Sequence, residues 1–348
     1  MSKPILGIIG GGQLGSMLAI AANKLEIKTV IFCNDIDAPA QNFSNDFVHG
    51  EYNDKNKINE FLSKVDVVTY EFENIPYETL NEINKIKPVL PKPSVNRIIQ
   101  HRLAEKDFIN NLNIRTTRYV SIEKKSDIEP VEDLLPGILK TITLGYDGKG
   151  QHPISGLENL DTINIDYSKG YILEKLVKLK KEISIIITRF GIQKYEIYEP
   201  IENEHEDQIL RNSKIPAEIS DKILEQSKLW ATTIAEELKY VGTLCVEFFI
   251  DRNDNLYVNE IAPRVHNSGH LTINAYNVSQ FENHVRAVCK LEQIPLKKIS
   301  NAMMTNIIGD QITNYRNKEH NENEFFFDYL KKEIKQKRKM GHLTTLLK

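Results

Sequence analysis

Glu247 and Glu260 are the two residues of this chain whose placement most directly asks for chemistry. They lie in VEFFIDRNDNLYVNE, two apolar-rich runs around a polar DRND turn, which reads as a β-hairpin. With the turn centred between Asn253 and Asp254, facing residues have numbers that sum to 507, and Glu247 and Glu260 satisfy that sum. Side chains directly opposed on a ladder stand roughly 5 Å apart at Cβ, and like charges there destabilise the pair. A divalent cation removes the conflict. Hard oxygen ligands on a rigid hairpin suit Mg²⁺, which completes its shell with substrate phosphates. Asn259 adjoins the pair as a further oxygen donor. The alternative is a solvent-facing pair of glutamates at a slightly different register.

The hairpin runs straight into EIAPRVHNSGH, where Arg264, His266, Asn267, Ser268 and His270 crowd around a proline and a glycine. That is the composition of a polar binding loop. The planar fork of Arg264 suits phosphate or carboxylate. A metal role for His266 and His270 is a minor alternative.

Two glycine-rich stretches point to anions. GIIGGGQLGSM places Gly10, Gly12 and Gly15 as G-x-G-x-x-G between an apolar run and a helix-like segment. Glycines there allow close backbone approach, and the helix start offers free N–H groups and a positive dipole end. Asp35 stands where an NAD ribose acid would. A dinucleotide, another phosphate or a tight turn all satisfy this stretch. TLGYDGKGQ, residues 143–151, is not a P-loop. It is either a loop that folds over nucleotide phosphates, with Lys140 aimed at the same place, or a plain hairpin turn.

Elements must hold these groups. Residues 1–92 alternate strand and helix patterns: ILGIIG, LGSMLAIAANKL, TVIFC, KINEFLSK, VDVVTYEF and YETLNEINKI. That order predicts a Rossmann-like parallel sheet with right-handed crossovers. PVLPKPS marks a boundary. A helix over 97–112, two strands in YILEKLVKLKKEISIIITRF and a long helix from Ser220 to Leu238 precede the hairpin. The expected domains are 1–92, 93–290 with a small lid at about 115–175, and a short C-terminal domain at 291–348. The fold class is α/β and α+β.

Composition narrows the function. The chain has 348 residues, 41% hydrophobic and 27% charged, with a net charge of −3. No basic excess suggests a nucleic-acid partner. Cys33, Cys245 and Cys289 form no metal-type pair and fit a reducing compartment. No apolar run approaches the roughly 18 residues of a membrane span, and no signal segment opens the chain. These features predict a cytoplasmic enzyme or binding protein with no membrane partner.

GGGQLG, VTYEFENIP, GYDGKGQ, the Glu247/Glu260 pair, NEIAPRVHNSGH and RKMGHLT, in that order, resemble the ATP-grasp family of N5-carboxyaminoimidazole ribonucleotide synthetases. The likeness covers nearly the whole chain. It implies an ATP-grasp fold with a pre-ATP-grasp domain, and a carbon–nitrogen ligase of purine biosynthesis. The implied reaction joins bicarbonate, through carboxyphosphate, to the amine of 5-aminoimidazole ribonucleotide. It implies ATP and Mg²⁺ (or Mn²⁺), a homodimer, and coupling to a downstream mutase.

Carried over by position, ATP is expected at Arg102, Lys140, the loop Gly145, Tyr146, Asp147, Gly148, Lys149, Gly150 and Gln151, then Glu174, Lys175, Leu176, Val177, Glu182, His205, Asn259 and Glu260. Mg²⁺ is expected on Glu247 and Glu260. The ribotide is expected at Gly12, Gln13, Leu14, Glu71 (in preference to Glu73), Arg264, His266 and Asn267, with Lys331 and Arg338 on its phosphate. Lys140, Asp147, Lys149 and Arg264 are the expected catalytic groups. The resemblance moves the first glycine loop from a dinucleotide to the ribotide phosphate. Ser16 stands where the family often has Arg, and the stop at Lys348 leaves Leu343, Leu346 and Leu347 poorly covered, which predicts a C-terminal segment that is mobile or is covered by a dimer partner. An NAD-dependent oxidoreductase and a non-catalytic nucleotide-binding relative are the competing readings.

Overall fold

The computed structural model describes residues 3–143, 150–162 and 165–347. The chain begins with strand β1 (Leu6–Ile9), helix α1 (Gln13–Lys24) and strand β2 (Thr29–Cys33). Strand β3 (Asp46–His49), helix α2 (Lys55–Leu62), strand β4 (Val67–Tyr70) and helix α3 (Tyr77–Asn84) follow. These strands pair in parallel in the order β3-β2-β1-β4. Every residue of β1, β2 and β4 is buried, as a sheet covered on both faces requires. One core packs α1 below the sheet with Val265, Phe281 and Val285 from far along the chain, and a second packs α2 and α3 above it. Strand β3 is an addition to the expected order. It is short and mostly solvent-facing, so its sequence carries no apolar run.

Helices α4 (Pro93–Ile99) and α5 (Arg102–Asn111) lead to a small antiparallel sheet. Its strands are β5 (Tyr119–Ile122), β6 (Gly137–Thr141), β7 (Gln151–Ile154) and β8 (Tyr171–Lys175), in the order β5-β8-β6-β7. Lys140 pairs with Gln151 across β6 and β7, so the second glycine stretch is the connection of a hairpin. Its residues Leu144 to Lys149, which include five expected site residues, lie outside the described residues.

The largest sheet holds β9 (Leu179–Gly191), β10 (Lys194–Ile197), β11 (Ile201–Glu206), β12 (Ile209–Ile215), β13 (Gly242–Asp251) and β14 (Leu256–Ala262). Helix α6 (Asp221–Glu237) packs on it, flanked as predicted by Ser220 and Leu238. Helices α7 (Thr272–Ala275) and α8 (Gln280–Val288) follow the hairpin, and then strand β15 (Asn301–Ile308), helix α9 (Gln311–Arg316), strand β16 (Glu324–Asp328) and strand β17 (Lys339–Leu347). The strand order is β14-β13-β9-β11-β12-β15-β17-β16, with β10 on β9.

That order corrects the expectation of a mobile C-terminal segment. Strand β17 is hydrogen-bonded on both edges, to β15 and to β16. Leu343 is buried in a small core with Ile307, Ile312 and Met340, and Leu346 packs against the core under β12. The strand is internal because β16 folds back over it, which no local pattern announces. Ser16 is wholly buried in α1 and its hydroxyl donates to the Gly12 carbonyl.

Candidate active site

The hairpin delivers the expected pair by an unexpected route. Near the turn the register sums to 506, as in Ile250 with Leu256 and Phe248 with Val258. A bulge at Asn259 then restores the pairing of Glu247 with Glu260. Asn259 is the extra residue, and its Oδ1 is buried without a hydrogen-bond partner among the described residues. The two carboxylates are held by separate partners. Glu247 accepts from His266 Nε2 at 2.8 Å, and Arg102 Nη1 lies 3.3 Å from Glu260. Burial pushes the Glu247 carboxyl up, but His266 and His205 hold it well below the usual range. Two paired carboxylates and an orphaned amide oxygen from the neighbouring residue are a donor set that fits a hard divalent cation. Cys245, two residues before Glu247 on the same strand, brings its thiol within 4.8 Å of the Glu247 and His266 ligand atoms. Burial keeps that thiol protonated by pushing it far up.

Helix α5 joins this strand to the small sheet. Arg102, Glu105 and Lys106 share one helical face by their i, i+3, i+4 spacing. Arg102 reaches Glu260, while its backbone N–H donates to the Ile142 carbonyl beside β6. Glu105 accepts from the Ile261 N–H at 2.6 Å. Lys106 is 1% exposed and sits 3.2 Å from Glu174 Oε2 and from Thr117 Oγ1. Lys140 lies 3.2 Å from the other oxygen of Glu174. Burial alone raises the Glu174 carboxyl, yet Lys140 and Lys106 bring it down to about 2. Glu174 is thus an anion under two ammonium groups, with Lys140 at the edge nearest the loop 142–150. Among its neighbours, Lys175 turns away to the Asp133 carbonyl, Leu176 is 48% exposed with its N–H on the Pro136 carbonyl, and Val177 is half-buried. Gly150 has φ +74°, and a Cβ there would meet Thr141 Oγ1 at 2.6 Å. On the large sheet His205 Nδ1 pairs with Glu182 at 2.9 Å. Burial lowers this imidazole, but Glu182 outweighs it and keeps the ring more basic than usual.

The first glycine loop already contains an anion. Glu71, just past the end of β4, accepts from the Gly12 N–H at 2.5 Å and the Gly15 N–H at 2.6 Å. A Cβ at Gly10 or Gly12 would lie within 3 Å of this side chain, so both glycines are needed to admit it. Asp35 is occupied with its own turn, accepting from the Asp37 N–H at 2.9 Å. The two oxygens of Glu73 instead accept from Nε and Nη2 of Arg264 in a fork. Burial pushes the Glu73 carboxyl up, and Arg264 holds it below its usual range.

From the C-terminal stretch, Lys331 Nζ donates to Gln13 Oε1 and to the Lys339 carbonyl, each at 2.7 Å. Leu14 follows Gln13 in the first turn of α1, where backbone N–H groups have no intrahelical acceptor. Arg338 Nη1 donates to the Glu333 carbonyl at 3.0 Å. Asn267 is buried in a reciprocal amide pair with Asn306.

Three domain families match the chain. They are the ribonucleotide synthetase preATP-grasp domain over residues 2–100, the ATP-grasp domain over 107–281, and the phosphoribosylaminoimidazole carboxylase C-terminal domain over 302–348. The N5-carboxyaminoimidazole ribonucleotide synthase of Staphylococcus aureus (strain MRSA252) is 37% identical over 347 residues, which cover 98% of this chain and 92% of that one. The chain belongs to the N5-carboxyaminoimidazole ribonucleotide synthase family.

The synthase of Brucella melitensis is 38% identical, covering 98% of this chain and 96% of its own. Among solved structures, the Staphylococcus aureus synthase complexed with ADP superposes with a TM-score of 0.93 at 35% identity, over 99% of this chain and 93% of that one. The synthase from Aspergillus clavatus in complex with ADP and 5-aminoimidazole ribonucleotide gives 0.90 at 26% identity, over 99% and 94%. As members of this family are, the chain is an ATP-grasp ligase.

Glu105, Lys106 and the Glu73–Arg264 fork were not anticipated from the sequence of this synthase. The RLAEK spacing alone could have placed Glu105 and Lys106 beside Arg102 on one face. Glu105 yields a test. Burial first, and then Glu260, pushes its carboxyl up to about 8. In the unfolded chain it titrates near its ordinary value of about 4.3. Between those values the native state binds the extra proton, so stability falls as pH rises through this window. Glu105→Gln keeps an acceptor for the Ile261 N–H and removes the titration. We expect melting temperatures of the metal-free protein to decline from pH 5 to 8 by several degrees more in the wild type than in this variant; each kcal/mol corresponds to about 2 °C in a chain of this size. Parallel curves would show that Glu105 titrates normally.

Proposed function

We infer that the chain carries out its family's reaction, the ATP-dependent carboxylation of 5-aminoimidazole ribonucleotide with bicarbonate to N5-carboxyaminoimidazole ribonucleotide, ADP and phosphate. The observation that carries the reading is the 2.8 Å contact of His266 with Glu247, which joins the PRVHNSGH loop to the carboxylate pair. The oxidoreductase reading loses its basis, because Glu71 fills the loop that a dinucleotide pyrophosphate would need.

A bicarbonate oxygen attacks the γ-phosphorus of ATP, and the bond to the bridging oxygen breaks to release ADP. The ribotide amine then attacks the carboxyl carbon of carboxyphosphate, losing a proton as the carbon–oxygen bond to phosphate breaks. Lys140, held by Glu174, offsets charge on the transferring phosphoryl group. Arg102, Glu182, His205 and the loop 145–151 complete the nucleotide site. Glu247, Glu260 and Asn259 are the residues to hold Mg²⁺, which when bound supplies a Lewis acid for phosphoryl oxygens. Arg264 orients acid groups from its fork, and Glu73 rather than Glu71 is the carboxylate open to the ribotide. The ribotide phosphate lies against Gln13, Leu14, Lys331 and Arg338, beside rather than inside the ring of Gly12 and Gly15 amides. No nucleophilic side chain is needed. A homodimer, a cytoplasmic location and hand-over to a mutase belong to the same reading. Among the described residues no helix is long and apolar enough to cross a membrane.

The test is ADP release by the whole chain. We expect it to require Mg²⁺ and to rise at least about tenfold when ribotide and bicarbonate are both added. Reduction of NAD with no ATP turnover would overturn the reading.

A further inference from the structure

In strand β9 the hydroxyl of Ser184 interrupts the apolar run Ile183 to Ile187, and it is wholly buried. Buried hydroxyls cost free energy unless bonded, and this one heads a row of polar side chains that crosses three strands and ends on His266. Ser213 Oγ donates to Asn203 Oδ1 at 2.9 Å, and Asn203 Nδ2 donates to Ser184 Oγ at 3.0 Å. Ser184 and Ser268 hydroxyls are 2.7 Å apart, and Ser268 Oγ lies 2.8 Å from His266 Nδ1. Ser184, Ser213 and Ser268 are 0% exposed and Asn203 is 8% exposed. The far nitrogen of His266, Nε2, meets Glu247.

The direction of the row follows from one group. The Ser268 backbone N–H points at His266 Nδ1 at 3.3 Å, and an N–H can only donate. Nδ1 therefore accepts, and the proton of the neutral ring sits on Nε2. Ser268 Oγ then donates to Nδ1, accepts from Ser184, and Ser184 accepts from the Asn203 amide. Ser268 and Ser184 each give one hydrogen and receive one, and Ser213 gives one at the far end. The loop backbone is pinned as well: the His266 N–H donates to Gln280 Oε1 at 2.9 Å, and Gln280 Nε2 donates to the His266 carbonyl at 2.6 Å.

We propose that Ser268, Ser184, Asn203 and Ser213 are positioning residues, a one-way row of hydrogen bonds that holds His266 with its proton on Nε2, so that the ring offers an N–H and not a lone pair to the oxyanions of the reaction. Glu247 is the acceptor of that N–H when no substrate is present. A bicarbonate or carboxyphosphate oxygen is the acceptor during turnover, and this part rests on the function proposed above. The wrong tautomer would present a lone pair to an anion, which repels it.

The experiment compares the whole chain with Ser184→Thr and Ser184→Val, which share a shape and differ by the hydroxyl. Long-range proton–nitrogen correlation NMR on histidine-labelled protein reads the tautomer, with His266→Gln assigning the signal. We expect Nε2–H in the wild type and in Ser184→Thr, and a mixture of tautomers in Ser184→Val. Turnover should fall about tenfold or more in Ser184→Val, the effect of one lost hydrogen bond on the barrier. The KM for ATP should stay unchanged and Ser184→Thr should recover most of the rate. A wild-type ring protonated on Nδ1, or a single Nε2–H form in folded Ser184→Val, would overturn the proposal. The tautomer needs no substrate to be read. A chain with the expected tautomers but no ribotide-dependent turnover would therefore refute the function and leave the row standing.

Discussion

Replacing Glu260 by glutamine should reduce Mg²⁺-dependent ADP release by about a hundredfold or more while leaving the metal-free protein as stable as the wild type. The size of the loss is that of removing one preorganised electrostatic partner of a phosphoryl-transfer centre. Stability is spared because the opposed carboxylates are already compensated. Glu247 has His266, and Glu260, 41% exposed at its side chain, has Arg102. An ion pair that exposed contributes little, and Arg102 keeps the Glu174 carboxylate nearby when Glu260 is neutral. Opposed charges alone predict a gain in stability; the partners that each carboxylate already has cancel it. Melting in the presence of a chelator, beside a Mg²⁺ titration of turnover, checks both halves. Near-normal turnover in the folded variant would remove Glu260 from the metal site.

Lys331→Ala should weaken ribotide binding about tenfold to a hundredfold and leave ATP binding unchanged. Charge-assisted hydrogen bonds are worth roughly 1.5–3 kcal/mol, and Lys331 already stands on Gln13 at the entrance to α1. Arg338→Ala should cost less, because its guanidinium must first leave the Glu333 carbonyl. Calorimetric titration with each ligand separates the cases. Equal losses for ATP and ribotide would mean that Lys331 supports the fold.

How much was legible depended on how far apart the partners lie in the chain. The parallel sheet, α6 and the hairpin follow local periods of two and 3.6, and they were read correctly in kind. The Glu247–Glu260 pairing was right through two compensating features, a turn that shifts the register by one and a bulge at Asn259 that shifts it back. The fork between Glu73 and Arg264 spans 191 residues and the contact of Lys331 with Gln13 spans 318, so no spacing rule reaches them. The partners of Ser184 lie on β11 and in the loop after β14, which no local pattern reaches. The place of β17 inside the sheet depends on strand order alone, which is why Leu343 and Leu346 looked uncovered.

Glu71 gives the opening glycine motif a different meaning. In a dinucleotide enzyme the counter-ion of such a loop arrives with the cofactor, and the apo protein carries an unmet positive end. Here the counter-ion is encoded in the chain, one residue past β4, so the end of the parallel sheet is electrostatically settled before any ligand arrives. The glycines are then required by an internal neighbour, and Gly10 or Gly12 mutated to alanine would disturb folding before it disturbed binding. Glycine spacing in this setting reports that an anion is close to the backbone, and the identity of that anion has to be read from the far end of another strand.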